Sequence, residues 1–217
     1  MTPVRTLFLA MLAKDLRREL RSREIFISGF LFSVYYSVTA GKLDHQKMAA
    51  GGLWLCILFS GTIGLNRPHQ SEMINGCYRG LMLAPVEGGW LYLAKVCANM
   101  LLLGTMVVLL LPLLVLFFQA PVLANPLALL GSLLLGMLAF VAVGTLVVVI
   151  TANTRMKDVL FPIIQLPLVV PAMITGVNSS AVALAGKTDG DSLGFLTAMN
   201  VVALSAGFLL YEFLLEE

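Results

Sequence analysis

Long apolar stretches separated by short polar ones cover most of this chain. Each stretch is close to the roughly 20 residues that an α-helix needs to cross a bilayer. The pattern therefore predicts an all-α integral membrane protein with six spanning helices. Their predicted bounds are 24–41, 48–65, 93–118, 127–151, 159–177 and 193–213. The linkers between them are short, except for a long polar one at 66–92.

The start of the chain has a different pattern, because its apolar residues recur at steps of three and four. Charged residues fill the opposite face, namely Lys14, Asp15, Arg17, Arg18, Arg21 and Arg23. Such a helix lies in the membrane interface, with its basic side chains on anionic headgroups. The alternative is that it continues the first span, but basic residues are costly inside a bilayer. We therefore predict an interfacial helix at 1–23, followed by one transmembrane domain at 24–217.

Composition strengthens the membrane assignment. Apolar residues make up 59% of the chain and charged residues 12%, and the mean hydropathy is +0.93. A soluble domain carries about twice that charged fraction. The net charge of +2 is too small to suggest a nucleic-acid partner.

The distribution of Lys and Arg predicts the orientation. Segments 1–23, 66–95 and 152–158 hold six, three and two of these residues, and the loops on the other side hold Lys42, Lys47 and Lys187. Cytoplasmic loops carry the excess of positive charge. Both termini and the long polar linker are therefore predicted to be cytoplasmic.

The polar stretch from Asn66 to Lys95 interrupts the apolar pattern and mixes charge, glycine, proline and aromatics. We call it the polar segment. It has the character of a short helix that lies along the membrane surface and is offered to a soluble partner. The alternative is an ordinary surface helix that caps the bundle. Its candidate contact residues are Arg67, Glu72, Gly76, Arg79, Leu81, Leu83 and Pro85.

The fifth span contains Pro162, Pro167 and Pro171, which are expected to bend or break the helix. Gln165 or a neighbouring helix would then satisfy the freed carbonyl groups. The prolines are candidates for a hinge in alternating access, and a packing feature is an equal alternative. The following residues, 178–192, are expected to form an outer loop with a short amphipathic or re-entrant turn.

The sequence offers no catalytic residues and no metal site. Ala185-Gly186-Lys187-Thr188 resembles the end of a phosphate-binding loop, but the pattern requires glycine where Ala181 stands. We therefore predict that the chain does not hydrolyse nucleotide by itself and is not an enzyme. His45, in the first outer loop, is either a solvated residue or a haem-iron ligand, and His69 is expected to make interface hydrogen bonds.

A transport protein that has no energy source of its own requires a partner that supplies the energy. A membrane subunit that borrows an ATPase needs a rigid element inserted into a cleft of that ATPase, so that nucleotide closure moves the helices. The polar segment meets this requirement. Its charges would orient the partner, and Leu81-Met82-Leu83 would provide the buried contact.

The chain resembles the haem exporter protein B family of bacterial cytochrome c maturation. The resemblance lies in the basic start KDLRRELRSRE (14–24) and in the series Arg67, Glu72, Gly76, LMLAP (81–85) and LYLAKV (91–96). Arg79 stands where the family commonly has a carboxylate. Six spans of this type and a length near 220 residues also match, so the resemblance covers essentially the whole chain.

The resemblance implies an ABC-2-like permease subunit of an inner-membrane complex. Its partners would be a cytoplasmic ABC ATPase that binds ATP, a haem-handling membrane subunit, a small single-span subunit and a periplasmic haem chaperone. The complex would handle haem, with two copies of this chain and no cofactor bound to it directly. Two alternatives remain: an ABC-2-type exporter of a lipid, glycan or drug, and a scaffold that anchors an enzyme complex and moves nothing.

Overall fold

The computed structural model describes residues 45–74, 88–152, 154 and 157–216. Within these ranges every regular element is an α-helix. The helices are α1 (His45–Ile74), α2 (Gly88–Phe118), α3 (Pro126–Ala152), α4 (Lys157–Leu184) and α5 (Gly190–Glu216).

All five helices are long and apolar enough to cross a membrane. Their apolar spans are Gln46–Leu65, Gly88–Leu116, Pro126–Thr151, Val159–Leu184 and Gly190–Tyr211, which correspond to the second to sixth predicted spans. The prediction of an all-α, multi-pass membrane protein is thereby confirmed. The first predicted span, 24–41, and the interfacial helix, 1–23, lie outside the described residues.

Helix α3 is the centre of the described bundle, and it contacts each of the other four helices. In the most apolar stretch of α3 72% of the residues are buried, against 24% in that of α2 and 22% in that of α5. The peripheral helices therefore turn most of their side chains outward. Large apolar residues such as Leu116, Val202 and Leu209 are more than half exposed there, as lipid-facing positions require.

A buried tryptophan joins α1, α3 and α4. The indole nitrogen of Trp54 donates to the Ser180 hydroxyl at 3.0 Å, and this hydroxyl lies 3.1 Å from that of Ser132. The indole ring lies directly over two glycines, since a Cβ at Gly136 or Gly176 would come within 2.1 or 2.5 Å of ring atoms. Only glycine leaves room for the ring, so these positions set how closely the three helices approach.

Gly186, the glycine of the apparent phosphate-binding sequence, lies in the turn that ends α4. Gly186 has φ +78°, its N–H donates to Ala183 O at 3.0 Å, and Lys187 N–H donates to Val182 O at 3.1 Å. This pair of bonds is the Schellman motif, which ends helices at a left-handed glycine. The outer loop is shorter than predicted, because α4 continues to Leu184 where 178–192 was expected to be loop.

Side chains cap the starts of α5 and α3. The Asp189 carboxylate accepts hydrogen bonds from the hydroxyl and backbone N–H of Ser192, at 2.6 and 3.2 Å, and so caps α5. These bonds hold the pKa of the Asp189 carboxyl below its usual range. Asn125 accepts from Ala128 N–H at 3.2 Å and donates to the Thr188 hydroxyl at 3.0 Å, which ties the two outer turns together.

The three prolines lie within one continuous helix, α4, so the expected break is absent there. Proline removes a backbone hydrogen bond, but transmembrane helices tolerate it where neighbouring helices hold them. Helix α4 has this support from α3, against which it makes the most extensive contact in the described bundle. Of the two predicted partners for the freed carbonyl groups, Gln165 is wrong, because neither of its amide atoms has a hydrogen-bond partner among the described residues. The other predicted partner, a neighbouring helix, stays a prediction.

We expect Gly136→Ala to destabilise the bundle, because the added methyl would lie 2.1 Å from the Trp54 ring. Overpacking of this kind costs about 1–3 kcal/mol. Thermal unfolding of the detergent-solubilised protein measures the effect. Gly104→Ala is the matched control, since a Cβ there meets nothing closer than Met137 Cε at 3.9 Å. Equal melting temperatures for the two variants would contradict the assigned role of Gly136.

Candidate functional site: the roots of the polar segment

Helix α1 does not end where its apolar span ends. The span stops at Leu65, whereas the helix continues to Ile74. Thirty residues of helix are about 45 Å long, and the hydrocarbon core of a bilayer is about 30 Å thick. The predicted end of the second span at 65 is therefore the end of its apolar part only. Residues 66–74 extend the same helix beyond it.

The structure places the predicted contact residues unevenly. Arg67 and Glu72 lie in the last turns of α1, together with His69. The remaining candidates lie outside the described residues, namely Gly76, Arg79, Leu81, Leu83 and Pro85. His45, predicted to lie in the preceding loop, is the first residue of α1.

The other end of the polar segment is the start of α2 at Gly88. The segment therefore begins as the end of α1 and finishes as the first turns of α2, and these two attachments are its roots. Each root enters the bundle at the end where α3 finishes and α4 begins.

Tyr92 fixes the α2 root to two other helices. Its side chain is fully buried, and its hydroxyl donates to Ala142 O of α3 at 3.1 Å and lies 3.5 Å from Ala203 O of α5. Its ring packs against the Tyr211 ring with centroids 5.5 Å apart. A buried tyrosine hydroxyl needs such a partner in an apolar environment. One side chain thus ties the segment to α3 and α5.

Glycine makes this contact possible on the α5 side. A Cβ at Gly207 would lie 2.2 Å from Tyr92 Cζ, so no larger residue fits there without displacing the ring. One turn earlier on α2, Gly89 lies under the Phe208 ring, where a Cβ would come within 2.5 Å of Cε2. Trp90 adds an edge-to-face contact with the same ring at 6.2 Å. The α2 root is therefore closely fitted to α5.

The α1 root is fitted to α3 in the same manner. A Cβ at Gly61 would lie 2.3 Å from Phe140 Cε1, so α1 and α3 approach closely one turn before the apolar span ends. A polar bridge lies at a similar depth, where Asn99 of α2 donates to the Thr145 hydroxyl of α3 at 3.2 Å. Helix α3 consequently supports both roots at once.

Sequence inspection did not identify Tyr92 or its glycine. The segment LYLAKV was noted only as part of a resemblance, and its tyrosine is one polar group in an apolar helix. That isolation is the available signal, because a tyrosine within a span must bury its hydroxyl against some acceptor. The identity of the acceptors, Ala142 and Ala203, follows only from the packing of α3 and α5.

The described residues offer no metal-binding chemistry. Within the ranges described, there is no group of three or more His, Cys, Asp or Glu residues close enough to hold an ion. The side-chain hydrogen bonds that join α2 to α3 near the roots are made by the Tyr92 hydroxyl and by the Asn99 amide with the Thr145 hydroxyl, groups that suit contacts between helices. Both helices that carry the roots, α1 and α2, contact the central helix α3.

Comparison with known proteins gives the family. Residues 6–210 match the CcmB protein family, which covers nearly the whole chain and includes the polar segment with both roots. The chain belongs to the CcmB protein family. This confirms the resemblance deduced from the basic start and the polar segment.

Curated members of the CcmB family are similar to this chain at the level of distant homologues. Heme exporter protein B of Rhodobacter capsulatus is 30% identical over 201 residues, which cover 88% of this chain and 92% of the relative. Heme exporter protein B of Pseudomonas aeruginosa is 29% identical over 160 residues, covering 74% and 71%. The Haemophilus influenzae protein of the same name is 30% identical over 160 residues, covering 74% and 72%.

We expect Tyr92→Phe to lower the stability of the bundle, because it removes the hydroxyl that bonds α2 to α3. A hydrogen bond of this kind contributes roughly 0.5–1.5 kcal/mol. Thermal unfolding in a mild detergent is the measurement. Thr105→Val is the control, since the Thr105 hydroxyl bonds only to Leu101 O of its own helix at 2.8 Å and should matter less. A larger loss for the Thr105 variant would contradict the role of Tyr92.

Proposed function

We propose that this protein is the membrane subunit of an ATP-driven haem export complex for cytochrome c biogenesis. It couples ATP hydrolysis by a partner ATPase to haem delivery, or to release of a haem-loaded periplasmic chaperone. Membership of the CcmB family supports this proposal, as do the relatives named heme exporter protein B.

One structural observation carries the coupling part of the proposal. Helix α1 is continuous from the apolar bundle to Ile74, so the polar segment is attached to a membrane helix without a flexible joint on that side. A partner bound to the segment can move α1 as a rigid element, and can move α3 and α5 through Tyr92. Rigid-body movement of packed helices is a common means of coupling between distant sites.

The partner in this proposal binds the polar segment from the cytoplasm. The excess of Lys and Arg in segments 1–23 and 66–95 supports a cytoplasmic position for the polar segment and for both termini. The membrane in this proposal is the bacterial inner membrane. Arg67, Glu72 and Arg79 would orient the ATPase. Leu81 and Leu83 would supply the buried contact, while Gly76 and Pro85 would shape the element that carries them.

Two copies of this chain and two ATPases form the core of the proposed complex, because six spans amount to half a transporter. The other partners are a haem-handling membrane subunit, a small single-span subunit and the periplasmic chaperone. ATP would be bound by the ATPase, and haem would be handled by the complex as its cargo. The chain itself would act as a transporter subunit and not as an enzyme.

The composition of the complex is tested by isolating the tagged protein from its native membrane in a mild detergent and identifying every partner. We expect an ABC ATPase, a haem-binding membrane protein and a single-span peptide. An ATPase alone would favour a general ABC-2-type exporter. Recovery of no ATPase would overturn the proposed role of the polar segment.

We expect Glu72→Lys to abolish c-type cytochromes while the protein remains in the membrane at its normal level. The substitution reverses a charge that would orient the ATPase, and like charges at an interface cost several kcal/mol. Haem staining of periplasmic cytochromes measures function, and immunodetection in membrane fractions measures the amount of protein. Leu83→Asp should have the same effect, because it places a charge in the apolar contact.

Asp191→Lys is the matched control for this charge reversal. Asp191 is exposed in the first turn of α5, at the opposite end of the bundle from the polar segment. We expect normal cytochrome levels in this variant. Normal levels in the Glu72 variant as well would count against coupling through the segment, and equal loss in both variants would show that charge reversal acts without regard to position.

A further inference from the structure

A buried amide on α4 has no hydrogen-bond partner. Gln165 is 1% exposed, and within the part of the chain that the structure describes neither its Nε2 nor its Oε1 is bonded. Such a group costs the free energy of its desolvation, and native proteins contain few of them. The cost is retained where an alternative conformation, or a function, gives the group a partner.

The amide lies against the root of the polar segment. A Cβ at Gly144 of α3 would come within 2.8 Å of Gln165 Nε2 and within 2.5 Å of Leu65 Cδ1. The Gln165 amide of α4 and the Leu65 side chain of α1 therefore both lie against Gly144. Leu65 is the last residue of the apolar span of α1 and directly precedes Asn66, where the polar segment begins.

Leu65 also borders a small cavity between α1, α2 and α3. The cavity has a volume of about 20 Å³, and Ser60 and Asn99 are among the residues that line it. A space of this volume holds one water-sized group and is too small for a leucine side chain. A movement of α1 shifts Leu65 relative to Gly144 together with the lining of this cavity, and so changes the surroundings of the Gln165 amide.

Helix α4 is built to respond to such a change. Gln165 lies between Pro162 and Pro167, and each proline removes one backbone hydrogen bond of the helix. Bending at these positions therefore breaks fewer hydrogen bonds than it would in an uninterrupted helix. Pro171, one turn further on, extends the same weakened region.

We propose that Leu65, Gly144 and Gln165 form the contact through which movement of the polar segment reaches the proline-containing helix α4. In the state described here the amide has no hydrogen-bond partner among the described residues. In the second state Leu65 has moved relative to Gly144, and the amide gains a hydrogen-bond partner. The difference in hydrogen bonding of Gln165 biases the equilibrium between the two states. Gln165 is thus a positioning residue for coupling, and this inference rests on the proposed function.

Gln165→Leu tests the inference, because leucine keeps much of the volume and removes the amide. We expect the melting temperature of the solubilised complex to stay the same or to rise, since an unpaired polar group is lost. We also expect the yield of c-type cytochrome per ATP hydrolysed to fall by roughly 2- to 30-fold, the range of coupling effects along such contacts. A lower melting temperature with an unchanged yield would overturn the inference, because it would show an ordinary structural amide.

Asn200→Leu is the matched control. Asn200 is another buried amide, but its Nδ2 donates to Leu135 O at 2.8 Å and to Leu196 O at 2.9 Å, so that only its Oδ1 lacks a partner among the described residues. We expect this variant to melt at a lower temperature and to keep its yield per ATP. A yield that falls as far as that of the Gln165 variant would overturn the specific role of Gln165.

Gly144→Ala supplies an independent variant that acts on the same contact from α3. Its methyl would separate Leu65 from Gln165 and disfavour the described state. We therefore expect an altered yield of c-type cytochrome per ATP hydrolysed, and an unchanged yield would count against the contact.

Glu72→Lys distinguishes the two proposals. If that variant loses cytochromes while the Gln165 and Gly144 variants keep their yield, only the present inference fails. If it keeps them, the proposed function fails.

Discussion

Close packing on α3 is the constraint on which the rest of this bundle depends. Between helices in a bilayer there is little hydrophobic driving force, so van der Waals contact and hydrogen bonds must hold them together. Here aromatic rings from neighbouring helices fit over glycines, as Trp54 does at Gly136 and Phe140 does at Gly61. Each of these ring–glycine contacts requires a glycine on one helix and an aromatic ring of the same size on the other. Helix α3 can therefore serve as a common support for the four other described helices.

The ends of the polar segment are joined closely to this central support. Tyr92 at the α2 end bonds to α3, and Gly61 near the α1 end lies against Phe140 of α3. Tyr92 is the clearest example, because one hydroxyl lies near carbonyls of two helices that are far apart in sequence. The coupling proposed for the segment depends on these contacts.

Helix α4 remains one helix through three prolines because α3 packs along it, and the Schellman motif at Gly186 ends it. The sequence predicts a hinge or a packing feature with equal weight. The bending proposed for α4 depends on these prolines and on the unpaired Gln165 amide that lies between them.

The sequence by itself determined the fold class and the family. It also determined the five predicted spans that lie within the described residues. Hydropathy is sufficient for this, because lipid contact requires long apolar helices and each span carries that signal locally. It placed the end of the second span at 65, where the apolar span of α1 ends, but it did not show that the same helix continues to Ile74. The partners of Trp54, Tyr92 and Gln165 were decided only by the tertiary structure. Each of these side chains lies against a glycine of a distant helix. The sequence alone does not show whether a glycine in an apolar stretch contacts a side chain or lipid.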